Sequence, residues 1–247
     1  MPYRGGVDSV HFMSGGYKLT GVMYLAAGDG PKPTLILLHG IPGTEKNYDI
    51  AYRLRDLGWH TLIIHFRGAW GSGGDYDMTT QPDDALAAVD FLLDGRADWQ
   101  VDPSRIVVLG YSLGSRAAIV AAHRDSRIKA LITMSGIADF DELMLSQEFY
   151  ASATDVLHGV TVQNINAQWA RLGGAENPIT IIGQIGCPML IIHGTEDEVI
   201  PYWMAPALYE ASGKRATFLT LEGADHTFTQ HRTQLVESVT DWLLSNC

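Results

Sequence analysis

The chain alternates short, continuous apolar runs with stretches of helical period, and this rhythm constrains its fold more than any other feature. Residues 34–38 (TLILL), 59–66 (WHTLIIHF), 105–109 (RIVVL), 129–134 (KALITM) and 188–193 (PMLIIH) read as strands, and 34–38 is a short continuous apolar run. Such runs suit strands buried on both faces, as in a parallel sheet. Between them, residues 45–57, 82–93 and 113–123 read as helices, with Pro82, Asp83 and Asp84 favourably placed in a first turn. Strand alternating with helix implies right-handed crossovers and a mostly parallel sheet covered on both sides. Upstream, residues 7–13 and 17–26 read as extended, joined by a turn at Gly15-Gly16. Residues 217–221 form one more strand, and 230–244 a closing amphipathic helix.

One stretch breaks the rhythm. Residues 139–184 lack a strong strand pattern and carry Phe140, Phe149, Tyr150 and Trp169. A structureless loop of that length is uncommon within a compact domain. We expect a single domain spanning 1–247, with 139–184 as a partly helical cap over one end of the sheet.

Composition removes several classes of function. With 46% apolar and 18% charged residues, the chain can bury a substantial core. A net charge of −11 offers little cationic surface to a phosphate backbone, so no nucleic-acid partner is expected. The two cysteines, Cys187 and Cys247, cannot build a disulfide framework or a cysteine zinc site. No H-x-x-x-H or H-E-x-x-H pair supports zinc. The start, MPYRGGVDSV, lacks an apolar signal region, and no run is long enough to span a bilayer. A cytoplasmic, cofactor-free protein without a membrane partner is the expectation. Its oligomeric state is left open.

The chemistry is concentrated at strand ends. Gly110-Tyr111-Ser112-Leu113-Gly114 is a G-x-S-x-G pattern with an apolar strand before it and a small-residue helix after it. Alone the pattern is weak, but this context is the one it requires. A sharp strand-to-helix turn presents the serine hydroxyl above a sheet. A serine needs a base, and two downstream strands end in segments able to supply one. HGTEDEVIP carries Glu196, Asp197 and Glu198, and GADHTF carries Asp225 and His226.

Together HGIPG, GYSLG, HGTEDEVIP and GADHTF occur in the order found in the α/β-hydrolase superfamily, and the chain resembles its serine esterases and single-domain relatives of the prolyl oligopeptidase-type hydrolases. The resemblance covers residue 34 to the C-terminus and implies an α/β-hydrolase fold. It assigns Ser112 as nucleophile, Asp197 as acid and His226 as base. It also implies oxyanion donors at the backbone N–H groups of Leu113 and Ile41. Pro42 has no N–H and cannot serve. Glu196 and Glu198 are rivals for the acid, whereas Asp225, His39 and His193 are read as structural.

The glycine-rich loop 67–74 lacks both the P-loop and the G-x-G-x-x-G spacing. The resemblance makes it a border of the active site, with Trp70 and Tyr76 as pocket walls or as packing against the cap. Phe149, Tyr150 and Trp169 of the cap are further candidate walls. The expected reaction is hydrolysis of a small-molecule carboxylic ester through an acyl-serine. The alternatives are a peptidase or acyl-aminoacyl hydrolase, disfavoured here because no propeller segment is seen, and a non-catalytic receptor, disfavoured by the intact Ser/Asp/His set.

Overall fold

The computed structural model describes residues 4–143 and 153–247. Eight strands form one sheet in the order β1-β2-β4-β3-β5-β6-β7-β8. They are β1 (Gly6–Ser14), β2 (Tyr17–Leu25), β3 (Lys32–Leu38), β4 (His60–Ile64), β5 (Val101–Tyr111), β6 (Ile128–Met134), β7 (Met189–Gly194) and β8 (Thr217–Leu221). The pairs β1–β2 and β2–β4 are antiparallel, and the remaining pairs are parallel. The fold is that of the α/β-hydrolases.

Burial follows the reading of the apolar runs. All five residues of β4 and all six of β7 are buried, as strands covered on both faces must be. The outer strand β1 instead alternates buried and open positions toward its end. The helices among the described residues are α1 (Tyr48–Asp56), α2 (Gln81–Asp94), α3 (Arg96–Trp99), α4 (Gly114–Arg124), α5 (Val162–Trp169), α6 (Pro178–Ile181), α7 (Met204–Ala211) and α8 (Arg232–Asn246). Two apolar clusters sandwich the sheet. One holds residues of α2, α4 and α7, and the other Ile50, Ala51 and Leu54 of α1 with Leu235, Val239 and Leu243 of α8.

Two differences from the sequence expectation have a clear physical cause. α1 begins at Tyr48 rather than at residue 45, because Asn47 sits in the left-handed region at φ 55°, which asparagine tolerates better than most residues. The helix α7 was not anticipated. Pro206 lies in its first turn, where a missing N–H costs nothing.

The register decides where chemistry can occur. Leu38 pairs with Gly110, Tyr111 with Met134, Met134 with Ile192, and Gly194 with Leu221. With β4, whose Ile64 pairs with Leu38, six parallel strands therefore finish at one edge, and the loops after them open on the same side.

The described part of 139–184 packs on two neighbours. Against the 67–76 loop, Ala69 bridges Leu157, His158 N donates to Gly68 O, and Tyr76 N donates to His158 O. Against α4, the buried Arg116 donates through Nε to Leu172 O at 3.0 Å. The candidate walls Phe149 and Tyr150 lie outside the described residues.

Candidate active site

The turn at Ser112 is tight, and its glycines explain how it closes. Ser112 has φ 53°, a left-handed conformation that costs a non-glycine residue energy and persists where the surroundings fix it. Its N–H donates to Met134 O at 2.9 Å, and its carbonyl accepts from Ser115 N at 2.9 Å. A Cβ at Gly110 would strike the Gly114 carbonyl, and one at Gly114 would strike the Leu38 carbonyl. The helix α4 thus presses against both β5 and the end of β3. A Cβ at Gly40 would stand 2.8 Å from Ser112 Cβ and 3.3 Å from its Oγ. The loop after β3, with Ile41, therefore passes directly beside the serine hydroxyl.

From the loop after β8, His226 meets this hydroxyl, with Nε2 3.2 Å from Ser112 Oγ. Its Nδ1 lies 2.9 Å from both Oδ1 and Oδ2 of Asp197, which comes from the loop after β7. Facing a carboxylate, Nδ1 carries the proton, so Nε2 is free to accept from the serine. The three residues are only 4%, 9% and 8% exposed for Ser112, Asp197 and His226, so water barely screens them.

The carboxylate of Asp197 is held on both oxygens. Oδ1 accepts from Val199 N at 3.0 Å and Ile200 N at 2.7 Å, and Oδ2 lies 3.1 Å from His193 Nε2. Burial alone would raise its pKa. The hydrogen bonds from His193, His226 and the Ile200 amide outweigh burial and hold it below the usual carboxylate range. The backbone of His226 is fixed as well. Its N–H donates to Glu198 Oε2 at 3.2 Å, and its carbonyl accepts from Tyr111 Oη at 3.2 Å and Ser135 Oγ at 3.4 Å. Glu198 therefore contacts the main chain of the histidine, while Glu196 is exposed. Asp225 accepts from Thr229 N at 2.7 Å and shapes its own turn. The contacts of Tyr111, Ser135, Glu198 and His193 were not read from sequence.

The loop beside Ser112 is braced from behind. Trp70 Nε1 donates to Pro42 O at 2.7 Å, and Lys46 Nζ donates to Gly43 O at 2.6 Å while standing 3.7 Å over the Trp70 ring. His39 Nδ1 lies 2.6 Å from Gly40 O. Burial lowers the pKa of His39 to about 3 and that of His65 to about 4, so both rings are neutral near pH 7. A recess of about 190 Å³ opens between residues 40–45 of this loop and Tyr111, His226 and Thr227.

Two expected pocket walls take other roles. Tyr76 is 1% exposed and its hydroxyl accepts from Gln81 Nε2 at 2.9 Å, so it is an interior residue under the 153–184 segment. Trp169 is buried, stacks obliquely on Phe140 and donates to Leu143 O at 2.9 Å. Trp70 alone of these three is well exposed, at 40%. Among the described residues no group of three His, Cys, Asp or Glu is placed to hold a metal ion, and no helix is long and apolar enough to cross a membrane.

Comparison with known proteins shows the family of the chain. The model of the prolyl oligopeptidase family matches residues 47–247. The chain belongs to this family. It thereby joins the α/β-hydrolase superfamily of serine hydrolases. Like other members, it has relatives of diverse description. It is 27% identical over 229 residues to the 2,6-dihydropseudooxynicotine hydrolase of Paenarthrobacter nicotinovorans, a match covering 87% of this chain and 58% of that protein. The chain thus spans little more than half the length of this curated relative. DcsB, solved in complex with a substrate analogue, superposes with a TM-score of 0.81 at 19% identity, over 98% of this chain and 99% of its own. Est1E of Butyrivibrio proteoclasticus, solved with ferulic acid bound, superposes with a TM-score of 0.76 at 23% identity, over 96% and 98%. At these identities the two solved structures speak for the fold alone.

Proposed function

We propose that this family member hydrolyses carboxylic esters through an acyl-serine intermediate. The observation that carries the reading is the unbroken chain Ser112 Oγ–His226 Nε2 at 3.2 Å and His226 Nδ1–Asp197 at 2.9 Å. In the first half-reaction Ser112 Oγ attacks the ester carbonyl while His226 Nε2 takes its proton. Negative charge develops on the carbonyl oxygen, and the amides of Leu113 and Ile41 are the proposed donors to it. His226 then returns the proton to the departing alcohol. In the second half-reaction water attacks the acyl-serine, with His226 again as base, and the acid is released. Asp197 holds the Nδ1–H tautomer and stabilises the imidazolium formed in each half.

Est1E, which shares the fold, is solved with ferulic acid bound, and carrying that acyl chemistry over to this chain is part of the proposal. The family match itself favours a second reading, cleavage of peptides or acyl-aminoacyl groups, which the same triad would perform. Selectivity is assigned to residues 139–184, with Phe149 and Tyr150 as the proposed contacts, and to Trp70 at the mouth of the site.

The test is a panel of chromogenic esters and aminoacyl anilides, run beside labelling with a fluorophosphonate. Esters should be turned over faster than anilides, and the probe should label Ser112 stoichiometrically. Ser112→Ala should abolish labelling and nearly all turnover. Anilides leading the panel would install the second reading. Turnover of neither class, or activity surviving in the alanine variant, would overturn both.

A further inference from the structure

A second histidine is built into the site behind the acid. His193 is the penultimate residue of β7, with no exposed surface, four residues before Asp197. Its Nε2 stands 3.1 Å from Asp197 Oδ2 and 2.9 Å from Ile200 O. Both neighbours are acceptors, so Nε2 bears the proton; its aligned hydrogen bond goes to Ile200 O, and Asp197 Oδ2 lies within ion-pair distance of the same N–H. Its Nδ1 is buried and has no hydrogen-bond partner among the described residues.

This donor lies on the oxygen that needs it. Oδ1 is fixed by two backbone amides, whereas Oδ2 receives only His193 Nε2 and His226 Nδ1 among the described residues. Without His193 the carboxylate could pivot about its Oδ1 anchor, and the symmetrical approach to His226 Nδ1 would be lost. The N–H also draws charge out of the carboxylate, which moderates how strongly Asp197 stabilises the protonated form of His226. The other ionisable groups facing this pair are Glu198 at the His226 amide, Tyr111 with its ring 5.2 Å from the His226 ring, Tyr202 with its ring 6.1 Å from His193, and Glu45 in the recess.

We infer that His193 is a positioning residue for the reaction, fixing the plane of the Asp197 carboxylate and tempering its charge so that His226 works at the correct basicity. This rests on the assignment of Ser112, His226 and Asp197 as the reacting set.

The decisive comparison is wild type, His193→Phe and His193→Gln, each followed as kcat and kcat/KM across pH. Phenylalanine keeps the ring volume and removes the donor; glutamine places an N–H at the reach of Nε2. The Phe variant should lose ~10- to 100-fold in kcat with little change in KM, the scale of a hydrogen bond to a charged group. The acid limb of kcat/KM should move up by about half a pH unit or more, because an undiluted carboxylate stabilises the imidazolium better. The Gln variant should restore most of kcat and the limb. A Phe variant with the wild-type limb, altered only in melting temperature or KM, would reduce His193 to core packing. Should the Phe variant fail to fold, imidazole ¹⁵N spectra of the wild-type enzyme decide the point. A His193 signal protonated on Nε2 at the pH of activity supports the inference, and an Nδ1–H tautomer overturns it. Fluorophosphonate labelling of Ser112 separates the two levels, since failure to label wild type would strike the triad itself, whereas normal labelling with an unmoved limb strikes only His193.

Discussion

Removing the Asp84 carboxylate should destabilise this fold more than most single changes. Asp84 sits in the first turn of α2 with its side chain wholly buried. Oδ1 accepts from Ser14 Oγ at 2.7 Å and Arg67 Nη2 at 2.7 Å, and Oδ2 accepts from Arg67 N at 3.0 Å. One carboxylate thus ties the end of β1, the loop after β4 and α2 together. Arg67 is only 12% exposed at its side chain, and its Nε already lacks a partner among the described residues. Asp84→Ala therefore strands a cation in the interior, at a cost of about 3–5 kcal/mol. At ~2–4 °C per kcal/mol for a domain of this size, the melting temperature should fall by roughly 6–20 °C. Replacing both partners, Arg67→Met with Asp84→Leu, removes the stranded charge and should recover part of the loss. It should not recover all, because Ser14 Oγ and the Arg67 amide still lose their acceptor, worth ~1–3 kcal/mol for an orphaned donor. Differential scanning fluorimetry and urea unfolding measure both steps. A shift below about 2 °C for Asp84→Ala, or a double variant no better than the single, would refute the reasoning.

Four further outcomes are expected. Asp197→Asn should keep the fold and lower kcat by up to ~10⁴-fold, since an amide cannot enforce the Nδ1–H tautomer; steady-state kinetics and circular dichroism check the two halves. Stability should fall as pH drops below about 6.5, the ordinary histidine value, because the unfolded chain takes up protons that buried, neutral His39 refuses until pH is about 3. The slope from His39 is at most about 1.4 kcal/mol per pH unit, with His65 adding to it, and urea midpoints at pH 7 and pH 5 measure the sum. Asp197 has the sign of a depressed carboxylate, so its contribution is intact above the usual carboxylate range and is lost only in stronger acid. Trp70→Phe should leave Pro42 O without its indole donor and lower kcat more than it raises KM, by a few-fold because Trp70 is part-exposed and water can substitute; equal effects on both constants would argue against bracing.

Much of this site could be read from the chain because its signals are local. Residues 34–38 and 188–193 announce doubly buried strands without knowledge of their partners, and the glycines flanking Ser112 announce a turn whose crowding is purely local. The supporting contacts are different in kind. Tyr111 reaches the His226 carbonyl across 115 residues of chain, and Glu198 reaches its amide across 28. Such pairs exist only after the strand register is set, and nothing in GYSLG or HGTEDEVIP fixes that register. Tyr76 shows the same limit from the other side. Its position beside a glycine loop suggested a pocket, yet packing against Gln81 and the 153–184 segment buried it. Pro206 hid α7 because a proline is read first as a break and only second as a permitted first-turn residue.

The shared finishing edge of the six parallel strands also has a consequence in time. Ser112 is made 114 residues before His226, and Asp197 lies between them. While the ribosome is still extending β6 or β7, the serine turn can form, yet its hydroxyl remains an ordinary alcohol with no base to take its proton. On the proposed triad, the serine gains its base only once β8 pairs with β7 and its following loop brings His226 to the edge. The order of parts along the chain would then keep a half-made copy chemically silent.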